Sequence, residues 1–126
     1  MSKKLVELVY EGSSYTIRFY VRKSGEVPSR EWLESMPESI QKKFAALFMW
    51  MGDHGKILNE QKFKHLTGTK QLFEFKADSG RILCFFFSGK QIVLTNGFRK
   101  KSNKTPKSAI LLAEKLKSEF EGRTEK

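Results

Sequence analysis

The chain has 126 residues, of which 39% are hydrophobic and 30% are charged, a composition that fits one globular domain and excludes a disordered chain. The longest apolar run, Ile82 to Phe87, is too short to span a bilayer, and the N-terminal residues lack the apolar stretch of a secretory signal. The lone cysteine, Cys84, cannot form an internal disulfide. We therefore expect a single cytoplasmic domain over residues 1–126 that does not contact a membrane.

The formal net charge of +10 is concentrated in one segment. Between residues 61 and 113 the acids are Glu74 and Asp78, whereas eleven residues are basic: Lys62, Lys64, Lys70, Lys76, Arg81, Lys90, Arg99, Lys100, Lys101, Lys104 and Lys107. Localised charge of this kind is typical of a protein that binds an anionic partner. A solubilising surface would give the same count, so the charge alone does not decide between them.

The first half of the chain predicts a strand followed by two helices. Ser14–Val21 is rich in β-branched and aromatic residues, and Leu5–Tyr10 is a candidate partner strand. A short helix is predicted over Arg30–Ser35. A longer helix should begin at the capping-box pattern Ser35–Glu38 and end at Gly52–Gly55. Its predicted buried stripe consists of Ile40, Phe44, Leu47, Phe48 and Met51.

The second half predicts three strands and a final helix. The strands Leu72–Ala77, Arg81–Phe87 and Gln91–Asn96 are separated by short turns, which favour antiparallel hairpins. Thr105 and Pro106 are suited to open the last helix, as N-cap and first-turn residues. Its predicted stripe is Ala109, Leu112, Ala113, Leu116 and Phe120. The fold class is therefore α+β in two layers: an N-terminal strand, two helices, an antiparallel three-strand meander and a C-terminal helix.

A loop with four cations precedes the last helix. Arg99, Lys100, Lys101 and Lys104 all fall within the segment 97–106. The N-terminus of a helix already carries partial positive charge, so cations there reduce stability. The same amides and charges favour a bound phosphate, and we predict a phosphate site in this loop.

Strand alternation places a second group of charges on one face. Glu74 and Lys76 point away from Phe73 and Phe75 and lie about 7 Å apart along the strand. Arg81 begins the neighbouring strand, opposite Lys76 or diagonal to it. An ion pair of this kind can be purely structural, but the nearby basic loop favours a role in chemistry.

These segments resemble the HigB-like, phage-derived branch of the RelE/ParE toxins. Phe98–Pro106 is similar to that branch's Phe-x-Lys-Lys-Thr-x-Lys-Thr-Pro signature, and Leu72–Lys76 to its Leu-x-Glu-Leu-Arg strand. The branch also has segments similar to Trp32–Glu38 and Lys64–Leu66, in the same order along the chain and at fitting spacing. The resemblance covers residues 15–120, the expected core of the domain, and implies a RelE-like, microbial-RNase-like fold.

The resemblance implies a messenger RNA endonuclease that commonly acts at the ribosome and is inhibited by a cognate antitoxin of helix-turn-helix type. Cleavage would proceed by attack of the ribose 2′-hydroxyl, with no metal or other cofactor. Candidate catalytic residues are Glu74, Lys76, Arg81, Arg99 and Lys101, and candidate RNA-binding residues are Lys64, His65, Lys100 and Lys104. Arg81 and Arg99 are expected on the phosphate. Either Glu74 or Lys76 could be the base.

Two other function classes are compatible with the same sequence. A RelE/ParE fold can act as a non-catalytic inhibitor, like the ParE-type toxins that act on DNA gyrase. A nucleic-acid binder without activity would also need only the surface charge. Glu74 and Lys76 favour the nuclease, because an inhibitor needs no paired acid and base.

Overall fold

The computed structural model describes residues 4–124, and the ends of the predicted domain, residues 1–3 and 125–126, lie outside this range. The described elements in chain order are β1 (Val6–Glu11), β2 (Thr16–Tyr20), α1 (Pro28–Glu34), α2 (Glu38–His54), β3 (Phe63–Leu66), β4 (Leu72–Ala77), β5 (Gly80–Phe87), β6 (Gln91–Arg99) and α3 (Lys107–Thr124). This order confirms an α+β fold and the candidate strand at the N-terminus. No helix in this range is long and apolar enough to cross a membrane.

The strands form one six-stranded mixed sheet in the order β1-β2-β6-β5-β4-β3. Adjacent strands are antiparallel except β2 and β6, which are parallel. The prediction of a three-strand antiparallel meander was therefore wrong for the sheet as a whole. Strands β4 to β6 are present, but β3 extends them on one side and the β1–β2 hairpin on the other.

Helices cover both faces of the sheet, so the domain has three layers and not the predicted two. The apolar stripe of α2 packs on one face through Ile40, Phe44, Phe48 and Met51, as the 3.6-residue periodicity predicted. The stripe of α3 packs on the opposite face through Ala109, Ala113, Leu116 and Phe120, whereas Leu112, which was predicted to belong to it, is exposed. Burial of these two stripes fixes the orientation of every side chain on the central strands.

Several predicted boundaries differ from the structure. The capping box at Ser35 does not form: Pro37 is the N-cap residue of α2, and the Ser35 hydroxyl donates to the carbonyl oxygen of Trp32. Strand β6 continues three residues beyond the predicted Asn96, to Arg99. In this extension Gly97 passes directly beneath the Trp32 ring of α1, and only glycine fits there because a Cβ would lie 2.3 Å from the ring.

Candidate functional site

The site is built on the sheet face that α3 covers, where β4 and β5 begin their hairpin. In the antiparallel register Lys76 lies opposite Arg81, and Glu74 lies opposite Lys64 of β3. Arg81 in turn lies opposite Phe98 of β6. The sequence prediction that Glu74, Lys76 and Arg81 share one face is confirmed, because the short turn fixes the hairpin register.

Glu74 and Arg81 form a buried ion pair at the base of the site. The Nε atom of Arg81 lies 3.8 Å from Oε1 of Glu74, and the side chains are 11% and 5% exposed. The Nη1 atom of Arg81 donates to the carbonyl oxygens of Asp78 and Gly80, each at 2.8 Å. These bonds hold the guanidinium in one orientation relative to the strand.

Thr105 connects the basic loop to this pair. Its hydroxyl donates to Oε2 of Glu74 at 2.8 Å, so both carboxylate oxygens of Glu74 have partners. Thr105 was predicted as the N-cap of α3. Instead the carbonyl oxygen of Pro106 accepts hydrogen bonds from the amides of Ala109 and Ile110, and the Thr105 hydroxyl bonds to Glu74. The loop is therefore attached to β4 by a side-chain hydrogen bond.

The loop closes a cavity of about 40 Å³ above the ion pair. The described residues that line it are Glu74, Lys76, Arg81, Phe98, Lys100, Ser102, Asn103, Lys104 and Thr105. Four of them are cations and one is a carboxylate that is already paired. A space that would hold only a few water molecules fits a single compact anionic group such as a phosphate.

The pKa of Lys76 is lowered from its ordinary value, mainly because partial burial disfavours the ammonium form. The nearby cations Lys64, Arg81 and Lys100 lower the pKa further, while Glu74 opposes them. An amine with a lowered pKa can accept a proton closer to neutral pH than an ordinary lysine.

Three predicted site residues lie away from this cavity. Arg99 is the last residue of β6 and points to the face opposite Phe98, where its Nε and Nη2 approach the Ser79 hydroxyl at 3.4 and 3.3 Å. Lys101 borders a different cavity. His65 lies opposite Phe73 with ring centroids 4.9 Å apart, on the face away from Lys64. The structure therefore brings five of the nine predicted residues to the cavity, Glu74, Lys76, Arg81, Lys100 and Lys104, and places Lys64 beside it, opposite Glu74.

Sequence reasoning did not single out Phe98, Ser102, Asn103 and Thr105 as cavity residues. All four belong to the segment that carries the toxin-like signature, which was the available signal. Three of them, Ser102, Asn103 and Thr105, are small polar residues of a kind common in any loop, so their type alone does not indicate a site. Only the path of the loop over β4 and β5 shows that they form the cavity wall.

Other parts of the described chain offer less for chemistry. In residues 4–124 no group of three or more His, Cys, Asp or Glu could hold a metal ion. A larger cavity, of about 510 Å³, lies near the C-terminal end of α3. Two of its cations already have partners, since Arg22 pairs with Glu119 at 2.7 Å and Arg123 donates to the Val21 carbonyl.

The fold and site together define a small basic α+β protein with a cationic, phosphate-sized cavity. A family model described as "Phage derived protein Gp49-like (DUF891)" matches residues 31–118, a range that contains every residue lining the cavity. The chain belongs to this family, which is associated with toxins of toxin–antitoxin systems. A comparison with curated proteins gave no significant match.

Proposed function

We propose that the protein is the toxin of a toxin–antitoxin system and that it cuts messenger RNA at the 40 Å³ cavity. The observation that carries this proposal is the convergence of Lys76, Lys100 and Lys104 above the buried Glu74–Arg81 pair. The Gp49-like family and the HigB-like signature at Phe98–Pro106 support the same conclusion.

The proposed reaction is a transfer of the phosphodiester within the RNA. The ribose 2′-oxygen attacks the adjacent phosphorus, the bond from phosphorus to the 5′-oxygen breaks, and a 2′,3′-cyclic phosphate forms. The 2′-hydroxyl proton passes to a base, and the leaving 5′-oxygen receives a proton from an acid. Charge on the phosphorane is stabilised by preorganised cations, for which the fixed guanidinium of Arg81 is well suited.

We assign the base to Lys76 and a positioning role to Glu74. The amine of Lys76 borders the cavity and its pKa is lowered, so it can accept the 2′-hydroxyl proton. Glu74 is 4% exposed and its oxygens are taken by Thr105 and Arg81. A carboxylate with both oxygens engaged is better placed to orient Arg81 than to meet substrate.

The acid and the remaining phosphate contacts are assigned to the loop. Lys100 and Lys104 line the cavity, and each can donate a proton to the leaving oxygen or a hydrogen bond to the phosphate. Lys64 lies opposite Glu74 on β3 and extends the positive surface beyond the cavity. It would contact a neighbouring phosphate and add to salt-dependent affinity.

The proposed partners are messenger RNA on the ribosome and a cognate antitoxin, for which the family resemblance implies a helix-turn-helix protein. An acidic amphipathic antitoxin segment would complement the basic loop. Leu111 on α3 offers an apolar contact beside that loop, because it is 57% exposed and lies four residues from both Lys107 and Lys115.

Induced expression of the protein without its antitoxin tests the proposal. We expect growth arrest, new transcript 5′ ends, and purified RNA fragments with 2′,3′-cyclic phosphate ends that also form in the presence of EDTA. Lys76→Met is the control and should leave transcripts intact. Uncut transcripts together with gyrase-linked DNA breaks would contradict the nuclease and favour the non-catalytic inhibitor.

A further inference from the structure

A second cavity, of about 420 Å³, lies beside the phosphate-sized one. Phe98 and Ser102 line both cavities and so form a shared wall. The two cavities differ about tenfold in volume, and the second is within the range of sites that hold a whole small organic group. Their adjacency matches the arrangement of a phosphate and the nucleoside attached to it.

The lining of the second cavity combines apolar surface with cations. Phe98, Pro106, Ala109 and Leu112 supply apolar and aromatic surface. Arg99, at the end of β6, and Lys101, in the loop, line this cavity and not the phosphate-sized one. Aromatic and apolar surface beside cations is the combination that holds a nucleobase while contacting the backbone around it.

Asn96 joins β6 to the first turn of α3 behind this wall. It is 4% exposed, and its Nδ2 donates to the carbonyl oxygen of Ala109 at 3.3 Å, which fixes the orientation of the amide. Its Oδ1 is buried and has no hydrogen-bond partner within residues 4–124. Because this atom is buried, Asn96 stabilises the wall through its bond to Ala109 and is not itself available to a ligand.

We propose that the second cavity binds the base of a nucleotide next to the scissile phosphate, an inference that rests on the proposed nuclease function. The phosphate enters the smaller cavity on Arg81 and Lys100, and the RNA backbone passes over the shared wall at Phe98. The neighbouring base then packs in the second cavity, with Arg99 and Lys101 on the flanking phosphate.

Binding of RNA hexamers with 2′-O-methyl groups, which cannot be cleaved, tests this site by fluorescence anisotropy at low salt. Each position in turn is made abasic while the phosphates are kept. We expect wild-type protein to lose roughly tenfold in affinity at one position, since stacking of one base contributes about 1–3 kcal/mol. Equal affinity at all positions would overturn the base site but leave phosphate binding, and so the proposed function, intact.

A blocking variant locates the base. Ser108 is exposed and lines the second cavity but not the first, so Ser108→Trp should fill the cavity without touching Arg81 or Lys100. We expect this variant to bind all hexamers equally and as weakly as wild-type protein binds the sensitive abasic one. The matched control is Ser118→Trp, exposed on the same helix near its other end, which should bind like wild type.

Three other results would overturn the inference. If Ser108→Trp keeps the sensitivity to the abasic position, the base lies elsewhere on the protein. If it binds RNA like wild type but escapes the antitoxin, the cavity is a protein-docking site. If wild-type protein binds no hexamer and Lys100→Ala leaves RNA cleavage unchanged, the phosphate site is also wrong, and the proposed function is then contradicted as well.

Discussion

Replacing Glu74 with glutamine removes the negative charge of the buried pair while keeping its shape. The amide oxygen can still accept the Thr105 hydroxyl, but Arg81 loses its counter-charge. A hydrogen bond to a charged group contributes about 1.5–3 kcal/mol, so we expect the free energy of unfolding to fall by about that amount. Glu74→Ala should cost more, about 3–5 kcal/mol, because it removes the carboxylate that both the buried Arg81 guanidinium and the Thr105 hydroxyl contact.

Urea denaturation of four proteins tests the coupling: wild type, Glu74→Met, Arg81→Met and the double variant. Each single change breaks a buried pair, whereas the double change replaces it with apolar groups and should restore near wild-type stability. If each single change costs about 3–5 kcal/mol, a double variant near wild type implies a coupling energy of about 6–10 kcal/mol. If the stability losses of Glu74→Met and Arg81→Met simply add in the double variant, the ion pair between Glu74 and Arg81 is contradicted. If Glu74→Gln is as stable as wild type yet loses cleavage as fully as Lys76→Met, Glu74 is the base and not a positioning residue.

Three further predictions concern the cations and the partner surface. For wild type, kcat/KM should rise with pH up to the lowered pKa of Lys76, because only the neutral amine accepts a proton. In Lys76→Met, kcat/KM should be about 10²–10⁴-fold lower and should show no such rise. Lys100→Ala should lower cleavage by about 10²–10³-fold. Arg99 lies outside the phosphate-sized cavity, so Arg99→Ala should mainly weaken salt-dependent RNA binding. Equal losses of cleavage in Arg99→Ala and Lys100→Ala would contradict this placement. Leu111→Glu should remain folded and toxic in co-expression with the antitoxin, whereas Leu8→Glu, equally exposed on β1, should still be neutralised.

Lys76 also links stability to pH in a defined direction. Because its pKa is lower in the folded protein than the ordinary 10.5, the unfolded chain binds more protons between the two values. Wild-type stability should therefore rise with pH across that window relative to Lys76→Met. Denaturation of both proteins at a series of pH values would show it, and parallel curves would contradict the lowered pKa.

Local patterns predicted the elements whose signal lies within a few residues. The stripe of α2 and the bounds of β4 follow from helical and strand periodicity, and both are confirmed. Strand β3 has only four residues, of which Leu66 alone is buried, so its pattern is too short to recognise. The parallel pairing of β2 with β6 joins segments more than 70 residues apart, and no local rule encodes it.

The same distinction explains the site. Glu74, Lys76 and Arg81 were predictable because they lie on one hairpin, whose register depends only on its turn. Thr105 was not, because its hydrogen bond to Glu74 spans 31 residues and competes with an ordinary N-cap role. When the partner of a side chain is distant in sequence, its role can be inferred only after the fold is known.

The positions of Arg99 and Lys100 depend on where β6 ends. A strand that stopped at Asn96 would leave all four cations in one loop, free to converge on one phosphate. Because β6 continues to Arg99, the period of two places this side chain on the face opposite Phe98. The amide of Lys100 then donates to the Ser79 carbonyl at 2.7 Å, which fixes the turn into the loop and brings the Lys100 side chain to the small cavity. A single backbone hydrogen bond thus determines which cation lines the small cavity, and leaves Arg99 beside the second one.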